Sequence, residues 1–288
     1  MWVVSFGGLA VFIPFSISGA NISIMLGFLA SLIALSDPNV RERYRAIGRD
    51  PLFLASVLLV LSALPAVFMS EDLSRALRDW KSYWLFLIYF LVAYNLVSDA
   101  FRRTLFWILF GSMTLSSLIV LVQYRGGVDL GLFRIGSQNA RPSSTLFTMT
   151  FAGIAYQLAV VNLSVMLKEN RFRKRVVVLG VGLLVQLLSL LLNRTRGAWL
   201  ALIAGLAVVT VLIRRRGVLL AGVAVAVAAV AFAAGNPEIR GRALTVFDAL
   251  SRRGDQNIAT RLVLWDISWE VFKEHPLLGV GMGDYSIE

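Results

Sequence analysis

The chain has 288 residues, of which 58% are hydrophobic and only 16% charged, with a mean hydropathy of +0.75. A soluble domain is nearer 45–50% apolar and about 25% charged, so this composition excludes a water-soluble globular enzyme. The net charge of +11 sits in short clusters between apolar runs; that pattern orients helices in a bilayer and does not track nucleic acid.

In chain order the apolar runs are Trp2–Ser16, Ile22–Leu35, Pro51–Met69, Tyr83–Val97, Leu105–Val122, Thr145–Leu167, Val176–Leu192, Ala198–Ile213 and Val218–Ala234. They are continuous rather than alternating, so they predict an all-α polytopic membrane protein and exclude a β-barrel. About nine transmembrane helices are expected over residues 1–234, followed by an extracytoplasmic helical segment over 235–288. Pro14, Ser18, Gly19 and Asn21 interrupt the first two runs, which are therefore two short helices or one broken one. The N-terminus has no basic flank ahead of Trp2 and reads as a retained span rather than a cleaved signal.

Alternate connections differ in basic content. Asp37–Asp50, Ser98–Thr104, Lys168–Arg175 and Arg214–Arg216 hold 14 Lys and Arg; Ser70–Ser82, Gln123–Ser144 and Asn193–Gly197 hold 8. The positive-inside rule places the first set in the cytoplasm and the segment from Gly235 onward outside. None of the nine runs contains Asp, Glu, Lys, Arg or His. An ionisable group in a span usually marks an ion or proton pathway, so ion-coupled transport lacks its usual signature. The absence of cysteine and the single histidine remove disulfides, thiolate catalysis and Cys- or His-rich metal sites.

Three outer-face segments carry candidate chemistry. In Asn193-Arg194-Thr195-Arg196-Gly197-Ala198-Trp199-Leu200, Thr195 can cap the next helix and Arg196 falls in its first turn. A helix N-terminus already carries partial positive charge, so a guanidinium there forms an anion receptor suited to diphosphate. The competing reading is that both arginines snorkel to lipid headgroups. Arg141, in Arg141-Pro142-Ser143-Ser144-Thr145, precedes the sixth run in an extended approach to a helix, and a structural loop arginine is its plainer reading. Arg125 and Arg134 are nearby but lack that context. The tail from Thr260 places Leu262, Trp265, Trp269 and Phe272 on one helix face, as in an interfacial helix. Thr260 is the expected cap, with Arg261 at the helix start. His275-Pro276-Leu277-Leu278-Gly279-Val280-Gly281-Met282-Gly283 follows. Without a strand-turn-helix unit around it, this stretch reads as a helix exit rather than a nucleotide loop.

Together, Arg194-Thr195-Arg196-Gly197-Ala198-Trp199-Leu200, Arg261-x-x-x-Trp265 and His275-Pro276-Leu277-Leu278-Gly279-Val280-Gly281-x-Gly283 resemble the O-antigen ligase family, which includes related O-antigen polymerases. Arg141 through Phe151 is similar to the family's weaker arginine-containing stretch. The resemblance implies a glycosyltransferase of lipopolysaccharide biosynthesis. It would move O-antigen glycan from undecaprenyl diphosphate to the lipid A–core acceptor at the periplasmic face of the bacterial inner membrane. No nucleotide cofactor, no metal and no nucleic acid are implied; the partners are the two lipid-linked glycans and membrane lipids. By motif the donor diphosphate falls to Arg196 and Arg261, with Arg194 and Arg141 as further candidates. The family histidine thought to accept the acceptor proton would lie beyond Glu288, since His275 matches the turn motif. The resemblance therefore implies a C-terminally truncated member, inactive or nearly so alone. A polymerase, and a transporter or non-catalytic membrane component, remain the alternatives.

Overall fold

The computed structural model describes residues 2–85, 92, 98–125, 142–168, 173–213, 235, 256–276 and 280–281. Every regular element among them is helical: α1 (Trp2–Phe12), α2 (Ile17–Ala34), α3 (Pro38–Ile47), α4 (Pro51–Ser62), α5 (Leu64–Phe68), α6 (Leu73–Trp80), α7 (Asp99–Tyr124), α8 (Thr148–Lys168), α9 (Arg173–Asn193), α10 (Arg196–Ile213) and α11 (Gln256–Glu274), with a 3-10 turn at Lys81–Leu85. Five stretches among the described residues are long and apolar enough to cross a membrane: Ile17–Ala34, Pro51–Phe68, Asp99–Tyr124, Thr148–Lys168 and Lys174–Asn193. α10 adds a shorter apolar stretch, Arg196–Val209. Of the expected span Tyr83–Val97 only residues 83–85 and 92 are described; the expected span Val218–Ala234 and the domain boundary at 234 lie outside the described residues.

Three sequence expectations change. The first apolar run, expected to reach Ser16, is helical only to Phe12: α1 has 11 residues, about 16 Å at 1.5 Å per residue, against a core of about 30 Å. Pro14 cannot donate to the helix ladder, and the chain turns there, with Phe15 N and Ser16 N both bonded to Phe12 O. The connections Asp37–Asp50 and Ser70–Ser82 are not plain loops but contain α3 and α6. In α6 the N-cap Asp72 accepts from Arg75 N at 3.0 Å. α6 turns Ala76 inward and leaves Arg75 and Arg78 exposed. Finally, α7 extends through the expected connection at 98–104 and starts with the Asp99–Arg102 ion pair.

The chain divides into two units. Unit 1 comprises Met1–Trp2, Ile24–Arg102 and Arg252–Glu288. In it α4 has no buried residue, and Leu52, Leu54, Leu58, Leu59 and Leu61 are all exposed. A helix apolar on every side suits hydrocarbon, not water. Asp50 caps α4 by accepting from Leu52 N at 2.9 Å, ahead of Pro51 at the first helical position. A break at Ala63, just before Pro65, separates α4 from α5. The indole of Trp80 reaches back to donate to Val60 O (3.1 Å), which supplies a partner where the ladder is interrupted.

Unit 2 comprises Val3–Ser23 and Arg103–Ser251. Its centre is α8, whose Ala152, Ala155 and Ala159 are fully buried together with Phe151. These small side chains let α9 and α10 pack closely on α8, as lipid-embedded helices need when no hydrophobic drive operates between them. Glycines mark two of the closest approaches. A Cβ at Gly205 would meet Val160 Cγ2 at 2.7 Å, and one at Gly182 would meet Phe110 Cζ at 2.3 Å. Phe110 is itself held by Phe106 and Trp107, with ring centroids at 6.2 and 5.5 Å. We expect Gly182→Val to destabilise the detergent-solubilised protein by about 1–3 kcal/mol through overpacking. Gly111→Ala should be neutral or better, because its Cβ would meet nothing within 4 Å. Thermal unfolding of the two variants checks the contrast.

Candidate functional site

The site is built from chain breaks at one end of unit 2. Helix α9 ends at Asn193 and the backbone reverses through Arg194, whose φ of 58° is left-handed. This conformation costs an L-residue about 1–2 kcal/mol, and glycine or asparagine usually occupies it. Thr195 follows, and its carbonyl accepts from Ala198 N and Trp199 N, so it occupies the N-cap position of α10 as the sequence predicts. Its hydroxyl donates to Asn193 Oδ1. Arg196 is the first residue of α10, where the opening N–H groups have no intrahelical acceptor. Arg194 and Arg196 are both half-buried. Trp199 locks the reversal from inside, with Nε1 donating to Leu190 O at 2.9 Å.

Asn193 is fully buried and ties this turn to a second one. Its Nδ2 donates to Pro142 O (2.8 Å) and Thr148 O (3.3 Å). Arg141, the residue before Pro142, lies outside the described residues, as does Arg134; Arg125 is exposed just past the end of α7. The segment Pro142–Phe147 turns through Ser144, also left-handed at φ 59°. Gln123, near the end of α7, holds that turn. Its Oε1 accepts from Ser143 N (3.0 Å) and Ser144 N (2.9 Å), while its Nε2 donates to Ser144 O (2.8 Å). One side-chain amide thus plays the part of a neighbouring peptide group.

The break between α1 and α2 joins the same end. Thr145 Oγ1 donates to Phe15 O, and Ser116 Oγ to Pro14 O at 2.9 Å. Two connections that charge counting assigns to one side of the membrane therefore meet the α1–α2 break within unit 2. They form a fixed platform beneath the arginine turn. The sequence pointed to the arginines and to Thr195 but not to Gln123 or to the anchoring role of Asn193. The available signal was an uncharged amide at the end of an apolar run, which is costly in a membrane unless hydrogen-bonded.

Arg261 belongs to unit 1 and departs from expectation. Helix α11 starts at Gln256, so Thr260 is not its cap and Arg261 lies in the second turn, exposed. Residues Gln256 to Ala259 contain no Gly or Pro, and nothing in them stops the helix from beginning before the hydroxyl. The arrangement at Arg196 is therefore not repeated at Arg261. Trp265, Trp269 and Phe272 are exposed, and the Trp269 and Phe272 rings stack at 5.5 Å. His275 is exposed at the helix exit, its N–H bonded to Val271 O. Of the glycine turn, residues 277–279 and 282–288 lie outside the described residues.

If Asn193 anchors the platform, Asn193→Leu should lower stability by about 1–3 kcal/mol, because it removes the donor to one buried and one part-buried carbonyl. Ser189→Ala is the control, one turn earlier and equally buried. Its hydroxyl bonds only Gln186 O of its own helix, so little change is expected. Equal thermal shifts for the two variants would contradict the anchoring role.

Residues 181–288 match the family model described as O-Antigen ligase. No curated protein and no solved structure matches the chain. The matched region begins inside α9 and includes the Asn193–Trp199 reversal, Arg261 and the glycine turn. It supports assigning the chain to the O-antigen ligase/polymerase family, whose members are glycosyltransferase-like enzymes of O-antigen processing.

Proposed function

We propose that the protein transfers O-antigen glycan from undecaprenyl diphosphate to lipid A–core at the periplasmic face of the bacterial inner membrane. The observation that carries this reading is the arginine reversal between α9 and α10, inside the region that matches the O-antigen ligase family. An acceptor hydroxyl oxygen attacks the anomeric carbon and gives up its proton to a base. The bond from that carbon to the diphosphate oxygen breaks, and the electron pair leaves on undecaprenyl diphosphate. The protein's main task is then to stabilise negative charge on the departing diphosphate. Guanidiniums held beside a helix N-terminus do this without reorganising during the reaction. Arginine suits the task because it stays charged and contacts phosphate with two parallel N–H groups. Arg196 is the first candidate for this role, with Arg194 two residues before it; Arg261 and Arg141 are the further candidates.

A polymerase would use the same donor chemistry with a lipid-linked glycan as acceptor, and the family match embraces both.

In cells expressing the native gene, Arg196→Ala and Arg261→Ala should each reduce glycan transfer about 10²-fold or more, the loss typical of one oxyanion-type donor. Insertion should be unaffected. Arg196→Lys should fare nearly as badly if the paired contact matters. Arg194→Gly preserves the turn, because glycine adopts positive φ without strain, so it reads the guanidinium separately from the backbone. Lipopolysaccharide profiles report the outcome, and undiminished transfer in the alanine variants would refute the diphosphate role. Topology has its own check. Reporter fusions after Arg175 and after Gly235 should give cytoplasmic and periplasmic signals respectively, and reversed signals would put the arginines in the wrong compartment.

A further inference from the structure

Helix α3 joins two stretches of membrane-spanning length, Ile17–Ala34 and Pro51–Phe68, so it lies at a membrane surface. Its sequence, PNVRERYRAI, is sided. Val40, Tyr44 and Ile47 fall on one stripe of the helix. Ile47 is buried, and Val40 and Tyr44 are half-buried. Arg41 and Arg45 are one turn apart along one flank of that stripe, with Arg49 a further four residues on, just past the helix end; all three are exposed. Arg41 Nε donates to Leu35 O (3.2 Å), immediately past the end of α2, which holds this arginine at the point where the span leaves the hydrocarbon. The acids of the segment do not cancel the flank. Asp50 is engaged as the cap of α4, Asp37 precedes the helix, and Glu42 is exposed and forms no ion pair among the described residues.

We infer that α3 lies in the plane of the membrane and that Arg41, Arg45 and Arg49 bind the headgroup phosphates of anionic phospholipids. The occupant follows from charge and depth. Arg41 is held at the headgroup level, and Arg45 and Arg49 follow it along the same surface, where anionic lipid concentrates and where an apolar stripe flanked by basic residues is favoured. This surface is separate from the arginine turn of unit 2, and it stands or falls independently of the glycosyltransferase reading.

The test uses the full chain in phosphatidylcholine vesicles doped with a minor fraction of spin-labelled phosphatidylglycerol. Electron paramagnetic resonance reads the fraction of label immobilised on the protein, relative to spin-labelled phosphatidylcholine. The wild type should enrich phosphatidylglycerol. The triple variant Arg41→Gln/Arg45→Gln/Arg49→Gln should lose that preference about threefold or more, given the strength of each basic contact at such a surface. The triple Lys variant should keep most of it, and Glu42→Gln should raise it. Arg102→Gln/Arg103→Gln, a basic pair elsewhere, should leave it nearly unchanged. If the triple Gln variant fails to insert, the Glu42→Gln and Lys variants still decide. Wild-type enrichment in the triple Gln variant, or an equal loss in the Arg102/Arg103 pair, overturns the inference. So does release of the lipid by inorganic phosphate but not by chloride at equal ionic strength, which would identify a free-phosphate site.

Discussion

In hydrocarbon a peptide group that leaves the helix ladder has no water to turn to, so each interruption of a span has to bring its own hydrogen-bond partners. This protein meets that constraint with side-chain amides. Gln123 satisfies three backbone groups of the Ser143–Ser144 turn, and Asn193 takes up the carbonyls of Pro142 and Thr148. Trp80 and Trp199 do the same with indole N–H groups at Val60 and Leu190. Where these partners are found, the chain can reverse without fraying, and the arginine turn is one such reversal.

The same solvent argument explains the distribution of side chains. Leucines and valines cover the outside of α4, α9 and α10, while Ser116, Ser117, Asn162, Gln186 and Ser189 are buried. In water this would be an aggregating surface around a weakened core. In lipid the exposed leucines cost nothing, and Ser116, Asn162 and Gln186 become links to neighbouring segments, at Pro14 O, Leu179 O and Thr114 Oγ1. Small residues then set the packing: the alanines of α8 and Gly182 and Gly205 on its neighbours draw the backbones together.

The proposed function rests on a hydrogen-bonded backbone turn that carries an ordinarily mobile class of side chain. Arginines at a membrane surface are ordinarily free to snorkel. Arg194 and Arg196 instead flank a threonine at an N-cap position, on a turn held by a buried asparagine. A positive edge of this kind is what the proposed diphosphate role calls for, and it lies inside the region that matches the O-antigen ligase family. Arg261 presents its charge differently, from within the second turn of an exposed helix whose aromatic face carries Trp265 and Trp269.

Much of the architecture was legible in the linear order of residues. Span-length apolar runs, the basic clusters between them and Thr195 ahead of α10 follow from local composition and spacing, because a bilayer imposes one length scale and one polarity rule. Other features were not legible. That α3 and α6 replace loops and that α11 starts before Thr260 depend on how far each helix gains by continuing. Short-range propensities there differ too little to decide. The link from Asn193 to Pro142, and from Gln123 to Ser144, joins residues 51 and 21 positions apart. Sequence spacing does not encode such pairings. They arise only when packed helices bring an amide to a backbone group outside the helix ladder.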